Sequence, residues 1–405
     1  MTDRLAAFPV LDGLTDSALA TDPAAMFAKA HADSEHGVFR NPHGDGLVVT
    51  RFRTLSWGMR HPDFQAQDRS LRKTGPSADG ALSRLFDNHP VFMNEPVHKP
   101  THQAAFRALA VHSPDALLSR CTQFAHEILD TLIEKQEVDL TNDYAFVLSS
   151  RTWAWMLGAP LQDADRLLAS ANAIGALLAF SPAPGCQERA SEAAADSWAY
   201  IEDLSAQKNA GGVFDVTSAE LGKIDAEGGP KDAAALLASL TFDAIDGAGG
   251  MTANFIYCLL SNPGQFEAAR NNPLLISNGW QEAARFAPSL LGLFRCPARD
   301  VPYEDVVFPA GVNILMLYAA GNRDPDYTPA PNEFDIHRNA SFPLSFGGGP
   351  RACIGRSLAK IQGQAAIQAL VERTKSIELL PHQPDWGPAG LMRAIRKIPV
   401  KLTGN

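Results

Sequence analysis

Cys353 has the most distinctive surroundings of any chemically reactive residue in this chain. It lies in "FGGGPRACIG", residues 346–355, where four of ten residues are glycine. Glycine at that density means a sharp turn or a close approach of the backbone to something else. The following stretch, "RSLAKIQGQAAIQALVERT", carries Leu358, Ile361, Ala365 and Leu370 at helical spacing. Cys353 therefore sits where a tight loop feeds a helix N-terminus. Unpaired N–H groups and the helix dipole favour a thiolate there, the form in which cysteine attacks or ligates. An isolated cysteine is more often a small buried hydrophobe, so the context carries the argument. A second grouping is Glu282 and Arg285 in "QEAARF". Spaced i, i+3, they share one helix face and by themselves read as an ordinary ion pair.

The elements that would hold these residues are mostly helical. Alanine- and leucine-rich stretches predict helices over 101–111, 114–136, 140–157, 163–179, 187–208, 231–260, 264–270, 274–287 and 354–373. Strand-like pieces are short: "GLVVTRF" at 46–52, "GVNILMLY" at 311–318 and "KIPVKLT" at 397–403. Turn signals cluster at 181–186, 209–213 and 321–332, and the last is long and proline-rich. The fold class expected is mainly α with a small β portion. With 45% apolar and 20% charged residues, the 405-residue chain can bury a large core. Five cysteines at 121, 186, 258, 296 and 353 make no disulfide framework, and no CxxC or Cys/His grouping suggests zinc. A net charge of −10 argues against nucleic acid as the main partner. The opening "MTDRLAAFPVLDG" does not read as a signal peptide, and no apolar run is long enough to span a bilayer. A cytoplasmic protein without a membrane or nucleic-acid partner is the expectation.

Phe346, Gly347, Gly349, Arg351, Cys353 and Gly355 together resemble the haem-binding loop F-G-x-G-x-R-x-C-x-G of the cytochromes P450. The resemblance extends to Glu282 and Arg285, similar to the family's E-x-x-R helix, and to "NRDPDYTPAPNEFDIHR", similar to its meander. It implies a single domain over residues 1–405 and a haem b whose iron is ligated by the Cys353 thiolate, which favours O–O cleavage. It implies that Phe346 shields the sulfur, that the turn at Gly347 points N–H groups at it, and that Arg338 joins Glu282 and Arg285 as a buried structural triad. Arg351, Arg295 and Arg107 become partners of the haem propionates. His102 is a further candidate, with His98 nearby and Gln103 where the family often has histidine.

In the central helix the family usually places an acid followed by an alcohol, which relay protons to bound oxygen. Here the sequence is "LTFDAIDGAGGMTANF". Counting back without gaps from Glu282 puts Asp246 at the acid position and Gly247 at the alcohol position. A gapped register instead keeps Thr252 as the alcohol and loses the acid. The ungapped register is preferred, because a deletion inside a helix would rotate its whole downstream face. Thr252 then lies about 7.5 Å along the axis from Gly247 and roughly 140° around it. Gly247, Gly249 and Gly250 each cost about 1 kcal/mol in a regular helix, so a widened or kinked turn is expected there. Close packing against a neighbouring helix is the alternative.

Substrate contacts implied by the resemblance are Phe242, Asp243, Leu290, Leu291, Leu391 and Met392, which together suit a small apolar molecule such as a terpenoid, aromatic, steroid or fatty acid. The implied reaction is hydroxylation or O-dealkylation with O2, electrons coming from a ferredoxin and its reductase. Peroxide-driven or oxidative-coupling chemistry in the same fold is the alternative, and a non-catalytic haem sensor a further one.

Overall fold

A computed structural model describes residues 2–66, 80–179, 182–207, 212–225, 228–339, 343–387 and 391–405. Helices dominate, as the alanine and leucine periodicity predicts. Their ends follow local capping chemistry. Ser113 accepts the Ala116 amide and Pro114 occupies the first turn of helix Pro114–Lys135. Asp232 accepts the Ala235 amide at 2.8 Å and opens the central helix. Gly158, at φ 70°, closes helix Phe146–Leu157 in the left-handed region that suits glycine.

The strands are β1 (Val38–Arg40), β2 (Gly46–Val49), β3 (Phe64–Ala66), β4 (Glu137–Asp139), β5 (Leu293–Pro297), β6 (Val301–Tyr303), β7 (Val306–Phe308), β8 (Asn313–Met316), β9 (Thr374–Leu379) and β10 (Pro399–Gly404). The largest sheet has the order β1-β2-β8-β5-β3, with β2 and β8 parallel and the other pairs antiparallel. A second sheet runs β4-β10-β9, and β6 and β7 form a hairpin. All three strand segments expected from sequence are present in shortened form. "GLVVTRF" ends as a strand at Val49, and Phe52 starts helix Phe52–Gly58, its amide bonded to Asp324 Oδ2 at 3.0 Å. Strand β5 carries Arg295 where the resemblance implies a strand, whereas β1, β3, β4, β6, β7 and β9, and helices such as Ala24–Asp33, Ala81–Asn88 and Val213–Leu221, are not legible in the sequence. Residues 209–211 of the expected 209–213 turn, residue 181 of the 181–186 turn and residue 208 of the expected 187–208 helix lie outside the described residues.

The central helix organises the core. Every residue of Ala233–Phe242 is buried, as its apolarity all round requires. It continues as Ala248–Ser261, but between the two halves Asp243–Gly247 is a π turn. The helix expected as continuous over 231–260 is thus widened where its glycines begin. Helix Arg356–Arg373, leaving the cysteine loop, packs on Ala248–Ser261, Leu275–Phe286 and Pro114–Lys135. The cysteine loop is thereby braced against the central helix.

Candidate active site

The cysteine loop is built from backbone bonds that only glycine permits. Gly347 and Gly349 have φ of 65° and 64°, and a Cβ on Gly349 would lie 3.2 Å from the Met59 carbonyl. The Cys353 amide donates to the Phe346 carbonyl at 2.8 Å, closing the loop. Backbone N–H groups of Gly355 and Arg356 donate to the sulfur. Phe346 stacks on Trp280 with ring centres 5.0 Å apart, and the Arg356 guanidinium carbon lies 5.7 Å from the Phe346 ring centre. Cys353 is exposed by surface area, yet burial is the main reason its thiol is pushed up to about 11. The thiolate expected from the helix N-terminus is therefore not the resting form of the free thiol: burial outweighs the two N–H donors. A coordinated metal ion would remove that proton outright.

Basic groups converge beside this loop. Arg351 donates to Asn94 Oδ1 at 2.8 Å, while its buried Nη1 has no hydrogen-bond partner. Arg295 on β5 is 5% exposed and, among the described residues, its side chain bonds only its neighbour, the Phe294 carbonyl, at 2.9 Å. No carboxylate among the described residues lies within ion-pair distance of either guanidinium. Burial and the Arg295 charge push Arg351 down to about 10. His98, buried on helix His98–Leu109, is pushed down to about 4 by burial and by Arg351. His102, one turn on, has Nε2 2.9 Å from the Ala352 carbonyl, next to Cys353. Glu95 Oε1 lies 3.3 Å from His98 Nδ1 and acts on Arg351 only from a distance, so the two buried guanidiniums keep an excess of positive charge that suits an anionic ligand.

Arg107 does not belong to it. Its side chain is exposed and pairs with Glu220 at 3.1 Å on helix Val213–Leu221. The reason is helical phase: His98 and His102 share one face, and Arg107, five residues further, points roughly 140° away. The sequence signal for His98 was this i, i+4 spacing to His102. Asn94 carried no such signal.

Opposite the loop, the π turn frees backbone carbonyls, and hydroxyls meet them. Ser149 bonds the Ala244 and Ile245 carbonyls at 3.1 and 2.9 Å, and Ser289 bonds Gly247 at 3.0 Å. A Cβ built on Gly247 would meet nothing within 4 Å, whereas one on Gly249 would lie 2.9 Å from the Phe146 ring and one on Gly250 3.0 Å from Ala394. Gly247 thus faces open space, and the other two glycines permit close packing. Both readings of the glycines hold, each at different positions. Asp246 is pushed up to about 7, chiefly by burial, with Arg396 opposing and Asp243 adding to the shift. Thr252, the alcohol of the gapped register, is fully buried: its hydroxyl donates to the Ala248 carbonyl at 2.9 Å, and Gln362 of helix Arg356–Arg373 donates to it at 3.4 Å. It is turned from the open side of the turn.

The other candidates divide. Glu282 is fully buried and takes two bonds from Arg285 at 2.8 Å each and one from Arg338 at 3.1 Å. Arg285 and Arg338 spend their remaining donors on meander carbonyls, including Pro331, Glu333, Pro329 and Ala330. Asp243 is open, with Oδ2 2.9 Å from His89 Nε2. Leu290 bridges Met392, and the Leu291 amide bonds the Leu391 carbonyl at 2.8 Å. Leu290, Leu391 and Met392 are half-buried, but Leu291 is 1% exposed within a core cluster and Phe242 packs against Gly175. Those two are core residues, because their neighbours take up the apolar surface. Part of the expected "GPAGLMRA" turn, residues 388–390, lies outside the described residues. A separate groove of about 460 Å³ between Arg4, Phe8, His36 and Val307 shares no residue with the cysteine loop.

The fold and site together define a cysteine-loop protein with a cationic cradle beside the thiol and a widened helix opposite it. The family profile described as Cytochrome P450 matches residues 270–388. The chain is 27% identical over 400 residues to Cytochrome P450 107B1 of Saccharopolyspora erythraea, covering 95% of this chain and 96% of the relative. It is 29% identical over 387 residues to Vitamin D(3) 25-hydroxylase of Pseudonocardia autotrophica, covering 94% of each. Among solved structures, P450BioI in complex with hexadec-9Z-enoic acid ligated acyl carrier protein superposes with a TM-score of 0.83 at 24% identity, covering 94% of this chain and 98% of that one. The chain belongs to the cytochrome P450 family and is an oxidoreductase of its monooxygenase class. Among the described residues no helix is long and apolar enough to cross a membrane.

Proposed function

We propose that the chain is one P450 domain over residues 1–405 that binds haem b through Cys353 and oxygenates a small molecule with O2, electrons arriving from a ferredoxin and its reductase. The observation that carries this reading is the Cys353 sulfur in its glycine loop, held by N–H donors from Gly355 and Arg356. Bound there, the haem supplies oxygen activation at thiolate-ligated iron. Arg351 and Arg295, buried without a carboxylate, suit its propionates, and so do His98 and His102. This is a fit of the residues present: the orphaned Arg351 Nη1 is an unmet donor that a propionate oxygen would satisfy. Arg107 is not proposed for that role.

The chain's own residues supply positioning and proton handling. Gly355 and Arg356 N–H groups disperse charge on the sulfur, and Phe346, stacked on Trp280, keeps water from it. Asp246, whose carboxyl lies beside Gly175 and is protonated near neutral pH, can donate a proton. Glu282, Arg285 and Arg338 hold the meander. Leu290, Leu391 and Met392 supply apolar contact surface for the substrate. Gly247 brings no hydroxyl to complete a side-chain relay, and this favours peroxide-driven turnover as a second reading. The test is the spectrum of the reduced protein with carbon monoxide. A strongly red-shifted Soret band, lost in Cys353→Ala, is expected; a band retained in that variant overturns the assignment.

A further inference from the structure

Asp243 is out of place in the segment that carries it. The ten residues before it are all buried and it follows them directly on the π turn, yet its side chain is 56% exposed. Residues four apart in a helix share a face, so Asp243 stands one turn before Gly247, over the same open space. Its charge bears on both the Cys353 thiol and the Asp246 carboxyl.

Its one close side-chain partner among the described residues is His89, whose Nε2 lies 2.9 Å from Oδ2. The Val91 amide donates to His89 Nδ1 at 3.1 Å, so Nδ1 carries the lone pair and the ring proton sits on Nε2. The imidazole is then neutral, and the pair keeps the net negative charge of the carboxylate. The contact lies off the N–H axis, since Nε2 makes no well-aligned hydrogen bond. Asp243 therefore keeps most of its acceptor capacity. His89 cannot swing aside freely: it is 12% exposed and packs on Phe92, which in turn meets Phe86.

From this geometry we infer that Asp243, positioned by His89, is a specificity-determining residue of the distal opening and selects ligands that carry a cationic nitrogen. The inference rests on the proposed function for the identity of the site. A neutral apolar ligand entering the opening strips water from the carboxylate and returns nothing, which is costly for a charge. A ligand with positive nitrogen replaces the lost water with an ion pair. Discrimination is the difference between the two.

The test uses the holoenzyme without electron donor and two probes, decyltrimethylammonium and 1-decanol. The quaternary nitrogen has no lone pair and so cannot ligate iron. Equilibrium titration of the Soret band gives both affinities. The wild type should favour the cation by about tenfold or more. Asp243→Asn and Asp243→Ala should each abolish that ratio, while Asp243→Glu keeps it. His89→Ala should lower the ratio, a readout that general destabilisation, acting on both probes, does not move. A ratio near one in the wild type, or one unchanged in both neutral Asp243 variants, overturns the inference. If those variants still give the red-shifted carbon monoxide band, the proposed function stands while this inference falls.

Discussion

The Ser289 hydroxyl donates to the Gly247 carbonyl at 3.0 Å, across from the Ser149 hydroxyl, which serves Ala244 and Ile245. The π turn is thus held open by side chains from two other parts of the chain. A carbonyl released from the helical ladder must find a donor or water.

Ser289→Ala should therefore cost about 1–2 kcal/mol, the scale of a buried acceptor losing its partner. Denaturant unfolding of Ser289→Ala and Ser149→Ala measures it. No loss in either variant would mean that water satisfies these carbonyls and the hydroxyls do not hold the turn.

Gly247→Thr should be accommodated, because a Cβ there meets nothing within 4 Å, and it would place an alcohol beside Asp246. Its product formed per NADH consumed should differ from wild type. Thr252→Ala should leave that ratio unchanged and cost only about 1 kcal/mol for the lost Ala248 bond. The reverse pattern would favour the gapped register.

Glu282→Ala should be far more damaging. It strands Arg285 and part of Arg338 in a site where Glu282 is fully buried, and breaking a buried ion pair costs about 3–5 kcal/mol. Little haem-loaded protein should be recovered. A well-loaded variant with altered kinetics alone would assign Glu282 to chemistry instead.

Asp246 makes stability depend on pH in a stated direction. Its folded value, about 7, lies above its ordinary 3.8, so the folded state holds the proton more tightly. That advantage is whole below about pH 4 and is lost as pH rises towards and through 7. Asp246→Asn should match wild type near pH 4 and be more stable by roughly 2–4 kcal/mol at pH 8, since each pKa unit is about 1.4 kcal/mol and Asp246 is only partly enclosed. Unfolding curves at both pH values test this; a constant difference would remove the buried-acid account.

Arg351→Ala should weaken haem retention strongly, and Arg107→Ala should not. Arg107 is exposed, and its surface pair with Glu220 stands apart from the cysteine loop. Transfer of haem to a scavenging apoprotein gives both rates. Equal loss from the two variants would return Arg107 to the site.

Local sequence determined the parts of this protein whose physics is local. The glycines of "FGGGPRACIG" specify a loop at Cys353, because φ near 65° at Gly347 and Gly349 favours glycine over other residues. The same holds for Glu282 and Arg285, one helical turn apart, and for the helices written in alanine and leucine. Tertiary structure decided what depends on phase and on distant partners. Arg107 and His102 share a helix, but only packing against the cysteine loop shows that His102 faces it. Gly247 and Gly249 look alike in sequence, yet one faces open space and the other the Phe146 ring. Phe242 and Leu291 went to the core because surrounding apolar side chains enclosed them. Burial likewise pushes the metal-free Cys353 thiol up against the pull of its helix terminus. A helix terminus is legible in sequence, but the depth at which it is buried belongs to the assembled fold.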